Sequence, residues 1–268
     1  MKIGFFDSGI GGLTVLKKVV RNFNNHDFYY FGDTLNVPYG SKPEYFLVNM
    51  LENIFDFFES VDVDILISAC NTTDSLVKKG LVSLDDRSFK YISIIDNGIE
   101  QINKGEEVLL LATSNTVRSG SYRGLLVDKV KVKKVTEKAC PLFVPLIEEG
   151  YWYGPMADSI INYYLRDCEG RYDKVILGCT HYPILSNHIQ KIVKSKIVDP
   201  ADGIVKTLLN MKLPYLKGYP EINFYISGSL EQFKCLSKRF LGRMRYKSKY
   251  TQLIMYSYYE KEDVDIYE

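Results

Sequence analysis

The sequence predicts an α/β protein made of two similar doubly wound α/β domains with mostly parallel sheets. Three observations predict it. Short β-branched or aromatic runs alternate with stretches of helical spacing, the signature of parallel strands joined by crossover helices. The chain looks doubled. Its 268 residues suffice for one large domain or two of ordinary size.

The elements follow in order. Lys2–Phe6 reads as a strand, and Leu13, Leu16, Val19, Val20 and Phe23 then recur at helical spacing. Phe28–Phe31 is the next strand. A helix around Phe46–Phe58 places Met50, Ile54 and Phe57 on one side. Further strands are expected at Asp64–Ser68, Tyr91–Ile95, Val108–Ala112, Val130–Val135, Lys174–Leu177, Ile197–Val198 and Ile222–Ile226. The tail after Arg243, rich in Tyr, Lys and acidic residues, suits a final edge strand or a loose surface segment.

The doubling lies in the strand ends. Asp7 follows the first strand and Cys70 ends a later one, 63 positions on; Thr113 and Cys179 stand in the same relation 66 positions apart. ILISACNT and VILGCTH share a form: apolar strand, then Cys, then small polar residues. No Gly/Ser- or Pro-rich linker marks a boundary. The expected division is 1–95 plus 206–268 for the first domain and 96–205 for the second.

Composition narrows the function classes. The hydrophobic fraction is 46% and the charged fraction 25%, as in globular proteins. A net charge of +1 gives no bulk attraction to nucleic acid or to an anionic membrane. The N-terminus shows no secretory pattern and no apolar run is long enough to span a bilayer, so the cytoplasm is the expected compartment. Five cysteines, an odd number widely spaced, argue for free thiols rather than a disulfide framework.

Ligands of parallel α/β sheets bind outside the carboxyl ends of the strands. Four polar clusters fall there: Asp7-Ser8-Gly9, Cys70-Asn71-Thr72, Thr113-Ser114-Asn115-Thr116 and Cys179-Thr180-His181. Helix N-termini following such ends favour a carboxylate or a thiolate. Asp7-Ser8-Gly9-Ile10-Gly11-Gly12 is a tight strand-to-helix turn; a capping role for Asp7 explains it equally, and its glycine spacing is not that of a dinucleotide site. Pro38-Tyr39-Gly40 reads as a turn that also offers Tyr39 to a ligand. A helix N-terminus can lower the pKa of Cys70, although a core thiol with two capping residues fits the same letters. His181, two positions from Cys179, suits the control of a thiol proton near neutral pH. Two such constellations in one chain favour function over packing. Cys140, Cys168 and Cys235 lack this company and read as structural.

FDSGIGG, YFGDTLNVPYG, ACNT, ATSNTVRSGSY, VPLIEEG and LGCTHYP occur in the order and spacing of the glutamate racemases. The resemblance covers roughly residues 1–205. It implies two α/β domains with the active site between them, no cofactor, no metal, and a supply of D-glutamate for peptidoglycan synthesis. Residue by residue it implies that Cys70 and Cys179 are the two acid/base thiols, the first working on D-glutamate and the second on L-glutamate. Asp7 then assists Cys70, and His181 assists Cys179. Ser8, Tyr39, Gly40, Asn71, Thr72, Thr180 and His181 match substrate-binding positions, joined by Thr116. Asp33 and the Glu148-Glu149 pair match acidic positions near the site. The implied partner is glutamate, with a homodimer allowed.

The chain departs from the pattern twice. Ile95-Asp96-Asn97-Gly98 stands where the family usually has Glu-Pro, and Thr73-Asp74 follows ACNT in place of a small apolar residue. Three other readings remain open on the sequence: an aspartate or other amino-acid racemase, a non-catalytic binder of an acidic ligand, and a zinc site on Cys70, Cys179 and His181.

Overall fold

A computed structural model describes residues 1–23, 26–214, 219–242 and 244–255. In chain order β1 (Lys2–Asp7) leads to α1 (Leu13–Asn22), β2 (Asp27–Gly32), α2 (Glu44–Ser60), β3 (Ile65–Ser68), α3 (Asn71–Lys78), β4 (Lys90–Ile92) and α4 (Ile94–Ile99). Then come β5 (Glu107–Ala112), α5 (Ser114–Ser119), α6 (Ser121–Gly124), β6 (Lys134–Ala139), α7 (Phe143–Glu148), α8 (Pro155–Leu165), β7 (Lys174–Gly178), α9 (Ser186–Val193) and β8 (Lys196–Val198). The described part ends with α10 (Pro200–Asn210), β9 (Glu221–Ile226), α11 (Leu230–Leu241) and β10 (Lys247–Gln252).

The strands form two sheets, ordered β10-β9-β2-β1-β3-β4 and β6-β5-β7-β8. Their recorded pairings are all parallel. The order β2-β1-β3-β4 in the first sheet repeats as β6-β5-β7-β8 in the second. Asp7 and Thr113 thus sit at the ends of equivalent strands, as do Cys70 and Cys179, and the doubling read from the sequence is a doubling of topology. The first sheet takes strands from both ends of the chain, and the second takes all of its strands from the middle.

Both faces of the first sheet are buried. Ile3, Phe5, Ile65 and Ile67 point into a core shared with α1, α10 and α11, while Phe6 and Leu66 point into a second core under α2. This period of two with apolar residues on both sides is what a helix-covered parallel strand requires. In α2 the buried face is Leu47, Met50, Leu51, Ile54, Phe55 and Phe58. Phe57, expected on that face, is half-buried against Phe31 and Tyr225. No described helix is long and apolar enough to cross a membrane.

Two expected strands are misplaced. Leu125–Val130 forms a wide helical turn, and Lys131 then reverses the chain at φ 63° before β6 starts at Lys134. Val130 and Val132 pack on the core edge without joining the ladder. The run Tyr91–Ile95 stops as a strand at Ile92, because the Ser93 hydroxyl accepts from the Asp96 N–H at 3.1 Å and starts α4. Short apolar runs do not distinguish strand from helix. The tail does supply an edge strand, β10, and its residues 256–268 lie outside the described residues.

The two sheets meet where α4 lies on α10. A Cβ at Gly203 would fall 2.1 Å from the Asn97 carbonyl oxygen, backbone that cannot step aside. Overpacking of this kind costs about 1–3 kcal/mol. Gly203→Ala is therefore expected to lower Tm by several degrees, about 2–4 °C for each kcal/mol lost. Gly124→Ala, where nothing lies within 4 Å of the new carbon, should leave Tm unchanged or slightly raised. Equal melting curves for the two variants would refute a tight α4–α10 seam.

Candidate active site

The carboxyl ends of β1, β3, β5 and β7 converge on one small cavity. Its walls include Asp7, Ser8, Tyr39, Gly40, Cys70, Asn71, Thr72, Thr113, Cys179, Thr180 and His181. The free space among them is about 10 Å³, room for roughly one water molecule. The structure therefore brings together nearly all the residues singled out from sequence, drawn from both sheets.

Asp7 ends β1 and is buried. Its Oδ2 accepts from the backbone N–H groups of Gly12 at 2.8 Å and Gly9 at 3.2 Å. Its Oδ1 accepts from the Thr180 hydroxyl at 3.1 Å, a bond from one sheet's end to the other's. Burial raises the Asp7 carboxyl above 3.8 against the pull of His181 and of these hydrogen bonds. The turn after Asp7 passes so close to His181 that a Cβ on Gly11 would sit 2.2 Å from Nδ1. That contact, rather than any phosphate, explains the glycine at this point.

Cys70 caps the N-terminus of α3 with extended backbone, φ −109° and ψ 111°. The helix end was expected to lower its pKa. Instead burial and the Asp7 charge push the thiol up to about 12, outweighing the help of Thr73. Desolvation of an anion among apolar neighbours exceeds what one helix terminus returns. Asn71 is held by the Tyr122 hydroxyl, which donates to Oδ1 at 2.7 Å. Its buried Nδ2 has no partner among the described residues and is a donor at the cavity wall. The Thr72 hydroxyl lies 3.0 Å from that of Thr113 and 3.4 Å from that of Thr116, with Thr113 and Thr116 3.0 Å apart.

Cys179 directly follows β7 and its sulfur lies 3.8 Å from His181 Nδ1. The other ring nitrogen of His181 lies 2.6 Å from Glu148 Oε1. The same Oε1 accepts from the Ile10 N–H at 3.2 Å, again joining the two halves. Burial lowers the His181 pKa, yet the hydrogen bonds to Cys179 and Glu148 and the Glu148 charge overcome it and raise it well above 6.5.

Three predicted residues stand behind the wall. Asp33 accepts from the Tyr39 hydroxyl at 2.5 Å and from Ser227 at 2.6 Å, which leaves the Tyr39 oxygen only as an acceptor. Glu148 backs His181, and Thr116 backs Thr72. Sequence reasoning missed Tyr122, which lies in the quoted ATSNTVRSGSY stretch but sends no local signal of its contact with Asn71. It placed Thr113 and Asn115 in a strand-end cluster without assigning either a role. The Asn115 side-chain amide donates to the carbonyls of Tyr39 and Lys42, both at 2.9 Å, and pins the 39–42 loop across the cavity. Cys140 and Cys168 are buried away from this cavity, and Cys235 is exposed. Among the described residues no group of three or more His, Cys, Asp or Glu has the arrangement of a metal site.

A scan against protein-family models finds no match. Individual relatives do match. The glutamate racemase of Aquifex aeolicus (strain VF5) is 34% identical over 246 residues, spanning 90% of this chain and 94% of that protein. The chain belongs to the glutamate racemase family. The crystal structure of glutamate racemase from Campylobacter jejuni subsp. jejuni matches with a TM-score of 0.82 at 33% identity, over 91% of this chain and 100% of that one. That of glutamate racemase from Francisella tularensis subsp. tularensis SCHU S4, in complex with D-glutamate, matches with a TM-score of 0.84 at 30% identity, over 95% and 97% of the two chains.

In this glutamate racemase family member the Glu148–His181 pair yields a sign-definite test. Glu148→Gln removes the charge that favours the imidazolium, so the His181 titration seen by NMR should move to lower pH. An unfolded imidazole titrates near about 6.5. Since the folded value lies above that, the stability His181 contributes is complete below about pH 6.5 and fades as pH rises through the folded value. Glu148→Gln should shrink that pH-dependent part, and an unmoved His181 titration would break the assignment.

Proposed function

We propose that the chain is a glutamate racemase that interconverts L- and D-glutamate by cofactor-independent proton transfer between two thiols. The observation that carries the reading is that Cys70 and Cys179 wall one cavity from topologically equivalent strand ends of two sheets. Inversion at an α-carbon needs a base on one face and an acid on the other. In the L-to-D direction the Cys179 thiolate takes the α-proton and the C–H electron pair delocalises toward the substrate carboxylate. The Cys70 thiol then gives its proton to the opposite face, leaving Cys179 as thiol and Cys70 as thiolate. The reverse direction exchanges the two roles.

The neighbours suit these tasks. His181, with Glu148 behind it, places a positive charge beside Cys179. Asp7 stands by Cys70 and can take up or return its proton. Ser8, Asn71, Thr72 and Thr180 supply polar groups for the amino acid, and Tyr39 and Gly40 close the loop over it. The N-terminus of α3 and the Asn71 amide face the charge that develops on the carboxylate, the kind of fixed donor that stabilises a carbanion. The free space is smaller than an amino acid, so entry requires the halves to part and the Thr180–Asp7, Glu148–Ile10 and Asn115 contacts to re-form on closure. Closure aligns both sulfurs and expels water.

The same reading divides the chain into 1–95 plus 206–268 and 96–205, and the partition of strands between sheets supports that division. The family likeness supports a role in peptidoglycan synthesis, a cytoplasmic location and a homodimer.

The test is incubation with L-glutamate in D₂O without added cofactor. Deuterium should enter at the α-carbon as D-glutamate appears, with L-aspartate turned over much more slowly. Cys70→Ser and Cys179→Ser should each lose at least the roughly 10²–10⁴-fold that acid–base catalysis supplies. Racemisation at an unchanged rate in either variant defeats the two-thiol reading, and faster turnover of aspartate defeats the substrate.

A further inference from the structure

Asp74 lies on the first turn of α3, and its N–H donates to the Cys70 carbonyl at 3.0 Å. It is fully buried, which raises its carboxyl above 3.8 against the pull of Ser93, Ile95, Lys78 and Tyr91. A carboxyl group is held in such a place only where its oxygens are well paired. Here the Tyr91 hydroxyl donates to Oδ1 at 2.8 Å, and the Ser93 hydroxyl and the Ile95 N–H donate to Oδ2 at 2.6 and 2.9 Å.

All three donors belong to the passage from β4 into α4, where the chain leaves the first sheet for the second. One turn further along α3, Lys78 pairs with Asp96 of the same passage at 2.5 Å. Asn97 then accepts from Thr207 of α10 at 2.6 Å, and α4 packs on α10 at Gly203. The first turn of α3 also reaches the second half through Asn71–Tyr122 and Thr72–Thr113. The first two turns of α3 are thus bonded directly to the start of α4.

We propose that Asp74 is a positioning residue for Cys70: its buried carboxylate clamps the helix that carries this thiol to the connection between the two sheets. Loss of the clamp impairs proton transfer at Cys70 and spares Cys179. The clamp acts on the Cys70 backbone and helix end and does not touch substrate. The assignment of a direction to each thiol rests on the racemase reading above.

The equilibrium constant between enantiomers is one, so kcat/KM must fall equally in both directions and cannot locate the defect. Primary isotope effects can. In Asp74→Asn the effect on kcat/KM with α-deuterated D-glutamate should rise, because Cys70 then limits abstraction. With α-deuterated L-glutamate it should fall, because reprotonation by Cys70 limits instead. Independently of turnover, iodoacetamide should label Cys70 about tenfold faster, the scale of one lost charge-assisted hydrogen bond, with Cys179 labelling unchanged by mass spectrometry. Should Asp74→Asn fail to fold, Ser93→Ala removes one donor and is read by the same two measurements, with smaller shifts of the same sign. Isotope effects that move together, or both thiols becoming reactive alike, overturn the clamp. Wild-type protein without turnover overturns the racemase reading instead, and the labelling contrast still decides the clamp.

Discussion

The buried pair of Asp7 and Cys70 sets the terms for the site. Both are acids raised by burial in a cavity with room for roughly one water, and the Asp7 charge makes ionisation of Cys70 harder still. Moving a thiol from 9.0 to about 12 costs its anion about 4 kcal/mol. A helix N-terminus returns at most about 2 kcal/mol. A substrate ammonium about 4 Å away at an effective dielectric near 20 returns about 4 kcal/mol. On the two-thiol reading, the substrate ammonium is a group whose charge offsets that cost.

The second thiol sits in the same frame with the opposite electrostatics. Cys70 and Cys179 follow equivalent strands, but the first has a carboxyl beside it and the second an imidazole whose protonated form Glu148 supports. Burial and Asp7 oppose a charge at Cys70, whereas Glu148 favours one at His181. That asymmetry is what a pair of groups needs to start as one acid and one base. The glycine-rich turn after β1 makes the two sides one site. Gly11 lets it touch His181, Ile10 binds Glu148, and Asp7 takes the Thr180 hydroxyl.

The strands that were legible in the sequence are those whose apolar runs end in polar clusters, because burial on both faces and the turn chemistry agree there. β1, β3, β5 and β7 are of this kind, and they carry the site. The misplaced strands are edge segments. At Val130–Val135 a left-handed Lys131 ends the run, and at Tyr91–Ile95 the Ser93 cap and the Asp74 carboxylate convert the last residues into helix. The turn at Lys131 and the Ser93 cap are local, but Asp74 acts across 21 positions on Ile95. The pKa of Cys70 failed to follow the helix-end rule for the same reason, since its burial and Asp7 are supplied by tertiary structure. Tyr122 and Asn115 were illegible as site residues because their partners, Asn71 and the 39–42 loop, lie in the other sheet's half of the chain.

Asp74 shows how partners distant in sequence hold a buried acid. An acid placed four residues after the Cys70 cap would ordinarily destabilise a buried helix turn. It is tolerated because the β4–α4 passage offers a hydroxyl from Ser93, a phenol from Tyr91 and a free helix N–H from Ile95 at the same spot. Asp74 and Asn97 in turn satisfy backbone groups of the passage and tie it to α3 and α10. Asp74 accepts from the Ser93 hydroxyl and Asn97 donates to the Ser93 carbonyl, so both join one network through Ser93. In such a network the exchange of one member is felt at the next, and here the next member is the helix turn that begins at Cys70.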